Sequence, residues 1–474
     1  MGENKIINIS KKTFINVLII LFSLIVVSTV FTYLIPKGEF ATVNNPDGST
    51  SIDYSNFIYI DGAKGINIFK GLFSPILVLG SSDGLTIIML SLFLLFISGS
   101  FQIINDINGI KSLVRTLIAK VKDKKKILIA TVVLIFMMFG AFLGLFEEVL
   151  TLLPLIIVLT ISLGYDSFTA FIICIVATGF GFASAITNPF TVLAASEIIG
   201  VSPLSGIWYR LLVFAIMYAF ILLYTFHHIR KIEKNPKKSP TYEIDSQKRD
   251  SIVDDSVIEN ERKVFNTSLI FFITFLVTII TSTIIPFLRG YTVVILIVIL
   301  LVGGFVSGKI CEKDFKKVLK SFKTGVVAAL PAVALVLLAS SIKYILEEGQ
   351  VISTIAFSIS QMIKGRDIFV VAILLYFIII ALEFFISSST AKAIIVMGIL
   401  SYISIDLSKE TLVLIYLFGD GYTNVFFPTS PVLLIGLSMI GMNYTSWIKK
   451  SFVVFIINTI LVIGLICLAV LIGY

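Results

Sequence analysis

The sequence predicts an all-α integral membrane protein of inverted-repeat architecture, with two re-entrant helical hairpins and two broken transmembrane helices. Three observations lead there. The 474-residue chain is 57% hydrophobic and only 14% charged, with a mean hydropathy of +1.03, whereas soluble domains run at about 45–50% apolar and about 25% charged. Its Lys and Arg residues gather in alternate polar segments. Proline-bearing interruptions recur at matching places in its two halves.

A spanning helix takes about 20 apolar residues, so a chain apolar almost throughout has room for roughly ten spans. Soluble enzymes and nucleic-acid-binding proteins are excluded. The net charge of +8 and pI near 9.1 then report topology, because basic residues mark cytoplasmic loops in membrane proteins. Cys174, Cys311 and Cys467 lie in or beside apolar runs without paired spacing, so neither a disulfide framework nor a zinc site is indicated, and no cofactor or metal is implied.

Taken in order, Lys5, Lys11 and Lys12 precede an apolar run that is too long for a signal-peptide core and lacks a cleavage site, which reads as an uncleaved anchor with the N-terminus inside. Further apolar runs place spans at 13–35, 84–103, 167–200, 207–226, 268–287, 292–308, 325–342, 410–442 and 451–473. Two runs, 127–165 and 369–405, are too long for one straight helix and are interrupted at Gly144 to Glu148 and at Ser387 to Thr390. Both read as hairpins that enter and leave by one face. With the N-terminus inside, 27 of the 37 Lys and Arg residues fall on the cytoplasmic side, and the C-terminus lies outside.

The polar stretch 227–266 holds nine basic and eight acidic residues with little apolar periodicity, and reads as a cytoplasmic linker between a first membrane repeat, 1–226, and a second, 267–474. An offset of 240 residues lays Gly179 on Gly419, Gly181 on Gly421, Ser184 on Asn424 and hairpin on hairpin, with the two members threaded in opposite directions. That is the pattern of an inverted repeat.

Each half contains a hairpin with a polar tip followed by a long span with a break, Ala185 to Thr191 in the first and Asn424 to Pro431 in the second. Pro189, Pro428 and Pro431 free backbone carbonyls that lipid cannot satisfy. Irregular backbone at that depth belongs where it lines a cavity, and matched interruptions in inverted halves point to a transporter's substrate site. Intramembrane acids are functional candidates by default, which selects Glu147, Glu148 and Asp420. Glu383 and Lys392 flank the second tip, with an ion pair such as Glu148 to Lys392 as one reading. Close helix packing accounts for the Gly-x-Gly pairs, and His227 and His228 read as an interface cluster. No HExxH, Ser-His-Asp or Cys-His grouping that a membrane enzyme would need is present.

The runs Tyr33 to Phe40, Phe139 to Glu148, Gly164 to Ser167 with Gly179 to Pro189, and Phe418 to Ser430, in this order along the chain, resemble the YfcC family of bacterial basic amino acid antiporters. The resemblance covers almost the whole chain and implies membership of the ion transporter superfamily: inverted repeats, two re-entrant hairpins and two broken helices around a central site, a homodimer, and an elevator motion in the bacterial inner membrane. Related sodium-dicarboxylate carriers place a Ser-Asn-Thr motif at both tips, whereas here the first tip reads Gly-Leu-Phe-Glu-Glu.

The expected substrate shell therefore has two ends. Thr187, Asn188, Ser387, Ser388, Ser389, Thr390, Asn424, Thr429 and Ser430, with the helix N-termini at the breaks, suit an α-carboxylate. Glu147 or Glu148 can receive a cationic side chain or α-amino group, and Asp420 is a further acid among the expected substrate-binding residues. The function expected is exchange of an arginine- or ornithine-like amino acid across the lipid bilayer. The alternative is a proton- or sodium-coupled symporter of carboxylates or short peptides; a membrane enzyme or passive channel is the contrasting class.

Overall fold

The structure, a computed structural model, describes residues 11–44, 50–62, 64–121, 124–253, 258, 260–289, 291–312, 314–363, 365–386, 388–402 and 406–474. Among them, eight helices are long and apolar enough to cross a membrane: Phe14–Leu34, Gly84–Asp106, Lys125–Leu143, Ile207–Lys234, Glu261–Ser282, Thr292–Cys311, Phe315–Glu348 and Tyr444–Leu471. Seven coincide with predicted spans, and Lys125–Leu143 is the first arm of the first predicted hairpin. With no water in the bilayer core, each such segment must close its backbone hydrogen bonds within itself, which a helix does.

Small residues set how closely these helices approach. Gly325 faces the Ser98 carbonyl so tightly that a Cβ would fall 2.3 Å from its oxygen, and Ser98 Oγ donates to the Gly325 carbonyl at 2.8 Å. Gly304 packs in the same manner on Ser100. Helices Phe14–Leu34, Gly84–Asp106, Thr292–Cys311 and Phe315–Glu348 thus form one packed group from both halves of the chain.

The 125–163 segment begins and ends at one place, because Lys125 Nζ donates to the Leu163 carbonyl at 2.9 Å. Its outgoing arm closes with a π turn, Phe139–Leu143, stopped by Gly144 at φ +69°, and its returning arm is a 3-10 turn, Glu148–Thr151, followed by Leu153–Ser162. The second pair of arms is Ile368–Glu383 and Ser389–Tyr402. The far end of that second arm packs Ile395 and Ile399 beside Phe40 and Phe57 of a two-stranded antiparallel sheet, Gly38–Asn44 with Thr50–Tyr59, where Phe57 stacks on Phe357 at 4.3 Å.

The two broken spans lie antiparallel. Lys409 Nζ, at the start of the second, donates to the Gly200 carbonyl at the end of the first at 3.2 Å. At the opposite end, Trp447, just past the second, packs edge-on against Phe171 near the start of the first, with centroids 5.2 Å apart.

The polar stretch 227–266 departs from a plain linker. Helix Ile207–Lys234 runs on into it, Tyr242–Val253 forms a further helix, and Glu261–Ile284 begins inside it. Its docking explains the order: Asp245 accepts from Ser167 N at 2.8 Å and from Thr241 Oγ1 at 2.6 Å, and Arg249 donates to the Tyr165 carbonyl at 3.2 Å. His228, expected at an exposed interface, is buried against Asp166, 2.9 Å away.

Candidate functional site

The first broken span is helical over Ser167–Ala183 and again over Pro189–Ile199. Pro189 occupies the first position of the second piece, where its missing N–H costs nothing, and Asn188 caps it by accepting from Phe190 N at 2.9 Å. The intervening backbone turns toward the first hairpin, whose π turn leaves its last carbonyls open. Asn188 Nδ2 donates to the Gly140 carbonyl at 3.0 Å, Ile186 N and Thr187 N to that of Ala141 at 2.8 and 3.2 Å, and Thr187 Oγ1 to that of Phe142 at 3.1 Å. Hairpin tip and helix break satisfy each other.

This changes the expected roles. Asn188 is fully buried with both amide groups engaged, so it acts as a brace of the tip, while Thr187 remains exposed at its edge.

The second broken span is helical over Lys409–Gly421, continues as a 3-10 turn, Tyr422–Val425, and resumes over Pro431–Met439. Pro431 again sits at the first helical position, with Ser430 accepting from Leu433 N at 3.4 Å. Asn424 turns back on its own helix, Nδ2 donating to the Asp420 and Gly421 carbonyls at 2.8 and 3.2 Å. Thr429 and Ser430 are buried. The two spans cross where Gly421 meets Ala183, a Cβ on Gly421 falling 2.1 Å from the Ala183 Cα, and where Gly179 meets Val425.

Lys392 defines the second tip. Its ammonium is wholly buried and pairs with Glu383 and with Asp420, the latter at 2.7 Å, and also donates to the Ile386 carbonyl at 3.2 Å. Asp420 Oδ2 accepts from Ser389 Oγ at 2.8 Å, and the Tyr416 hydroxyl reaches the Ser389 carbonyl. Thr390 Oγ1 donates to the Phe190 carbonyl at 3.4 Å, which joins the second tip to the first break. Ser388 is half-buried, and Ser387 lies outside the described residues.

The ion pair weighed between Glu148 and Lys392 is not the one formed. Glu383 stands nine positions upstream of Lys392 across the tip, and Asp420 arrives from the broken span, so the lysine is neutralised within its own half of the chain. The sequence signal was available: a lysine alone in an apolar run needs an acid, and these two were at hand.

Glu147 and Glu148 project from the first tip differently. Glu147 is exposed and Glu148 half-buried, and among the described residues neither forms an ion pair. Phe146 beside them packs on Phe182, ring centroids 6.1 Å apart. Among the described residues, the assembled site holds one fully paired lysine and, at the first tip, two carboxylates without an ion pair.

A family model described as "DcuC: C4-dicarboxylate anaerobic carrier" matches residues 14–472. "Putative basic amino acid antiporter YfcC" of Escherichia coli (strain K12) is 27% identical, with 96% of each chain aligned. An uncharacterized protein of Haemophilus influenzae is 25% identical over 80% of this chain and 74% of its own. The solved YdaH transporter of Alcanivorax borkumensis aligns with 97% of this chain and 98% of its own at 15% identity and a TM-score of 0.44. The protein is a multi-pass membrane protein and a secondary transporter, not an enzyme. It belongs to the DcuC carrier family.

Proposed function

We propose that this transporter exchanges basic amino acids, of the arginine and ornithine type, across the bacterial inner membrane. The observation that carries the proposal is the charge balance around the breaks. Lys392 is taken by Glu383 and Asp420, whereas Glu147 and Glu148 have no cationic partner among the described residues. A dicarboxylate would need a free cation to meet it, while a substrate with a guanidinium or second ammonium brings the charge that the first tip lacks. Its α-carboxylate finds the N-terminus of Pro189–Ile199 or of Pro431–Met439, with Thr187, Thr429 and Ser430 alongside. The name of the E. coli relative agrees with this reading, and the family description favours the alternative of a coupled carboxylate carrier.

The mechanism follows from the same charges. An uncompensated acid resists entry into the low-dielectric path, so the empty carrier moves slowly and the loaded one quickly, which amounts to obligatory exchange. The antiparallel broken spans support an inverted repeat, 1–226 against 267–474 around the 227–266 segment, and alternating access of the elevator type, in a homodimer with the N-terminus cytoplasmic and the C-terminus outside.

Exchange and net uptake by Glu147→Gln and Glu148→Gln, measured against pH in proteoliposomes, test the role of the tip. Loss of arginine exchange in at least one variant is expected. Full-rate exchange in both would sink it, and retained exchange with altered pH dependence would make the pair a proton site instead.

A further inference from the structure

Lys392 is a fully buried cation held, among the described residues, by oxygen atoms: carboxylates from Glu383 and Asp420 and the Ile386 carbonyl, supplied by the end of one hairpin arm, a broken helix and the tip itself. Such a set is the one that hard metal cations take, oxygen donors with a charge surplus in a dry site. Among the described residues, the Lys392 ammonium is the partner of Glu383 Oε2. Ser389 Oγ meanwhile donates to Asp420 Oδ2, the oxygen on the other side of the carboxylate from the lysine.

We propose that the Lys392 ammonium is a built-in cation that occupies a latent alkali-cation site, so that the site needs no dissolved cation in the native protein. The inference rests on and deepens the reading of the chain as an exchanger: a carrier whose acidic cage at the second tip is filled by a tethered charge has no use for an external ion gradient there. A covalently held ammonium keeps a positive charge between Glu383 and Asp420 through the whole cycle. A free ion would have to bind and leave with each turn. Truncating the side chain should empty the cage, leave two acids facing each other in a low-dielectric pocket, and create a demand for a small cation that water cannot meet.

The test requires no substrate, so an error in substrate assignment would not disturb it. Full-length wild type, Lys392→Ala and the uncharged Lys392→Met/Glu383→Gln/Asp420→Asn variant are purified, and unfolding midpoints are followed in sodium chloride, potassium chloride and choline chloride at equal ionic strength. The midpoint of Lys392→Ala is expected to climb with the logarithm of sodium or potassium concentration, as linkage to a bound ligand requires, while those of the wild type and the uncharged variant stay level. The proposal is overturned if Lys392→Ala responds to neither ion, if it recovers only on acidification, or if the wild type responds equally. It is also overturned if Lys392→Ala yields no folded protein in either salt while the uncharged variant folds.

Discussion

His228 Nε2 lies 2.9 Å from Asp166 Oδ2, tying the end of helix Ile207–Lys234 to the residue that caps the first broken span. Asp166 also accepts from Ser239 Oγ at 2.6 Å and from Thr169 N at 2.8 Å, so one carboxylate fastens three segments. His228→Ala should lower stability by about 2–3 kcal/mol, the scale of a buried hydrogen bond to a charged group. Denaturation of the purified protein checks this, and a loss under 0.5 kcal/mol, on the order of an ordinary surface change, would deny the contact its role.

The same contact has a pH signature. Burial opposes ionisation of Asp166, but the hydrogen bond and charge of His228, with Ser239 and Thr169, outweigh it and hold the carboxyl below its usual range. A lowered folded-state pKa contributes stability that is present above the unfolded value, about 3.9, and is lost as pH falls through the folded one. In His228→Gln the burial effect dominates, so the acid-side loss should begin at higher pH than in wild type. Coincident acid limbs in thermal melts from pH 3 to 7, a range set by the usual carboxylate pKa of about 4, would contradict it.

Glycine at the crossing of the broken spans is a packing requirement. Gly421→Ala would press Cβ to 2.1 Å from the Ala183 Cα, backbone against backbone, and should cost about 1–3 kcal/mol or more. Gly464→Ala meets nothing within 4 Å in the middle of helix Tyr444–Leu471 and should instead stabilise by about 0.5–1 kcal/mol. Melting both variants decides the matter, because equal effects would show that crossing distance is not limiting.

Asn188→Ala strands the buried Gly140 carbonyl and uncaps the Phe190 N–H, for a loss of about 1–3 kcal/mol. Thr187→Val, at an exposed position, should leave stability within about 0.5 kcal/mol. Paired stability and transport assays separate brace from ligand. If Asn188→Ala stays fully stable but loses substrate affinity, the side chain contacts substrate rather than the tip.

Hydropathy alone made most of the membrane part legible, since a run such as Tyr444–Leu471 has few other fates in a chain of this composition. The breaks were legible through Pro189 and Pro431, although the prolines turn out to start new helices more than to kink old ones. What escaped was pairing at a distance. Ser167 meets Asp245 and Asp166 meets Ser239 across more than seventy residues, so the polar stretch carries no local pattern of its docking. The sheet Gly38–Asn44 with Thr50–Tyr59 was written in short runs of β-branched and aromatic residues, such as Thr42, Val43, Ile52, Phe57 and Tyr59, that a search for long apolar runs passes over. Lys392 shows the intermediate case: that it needed an acid was evident, but which acid depended on the fold of the hairpin.

The central claim is that two carboxylates at the first tip, without an ion pair among the described residues, select a cationic substrate. Counterflow in proteoliposomes tests it most directly: vesicles loaded with unlabelled ornithine, or in parallel with succinate, are diluted into trace labelled arginine or labelled succinate. The account predicts transient arginine accumulation driven by internal ornithine, with no succinate accumulation in vesicles loaded with succinate. Succinate counterflow without arginine counterflow would contradict it and return the protein to carboxylate transport.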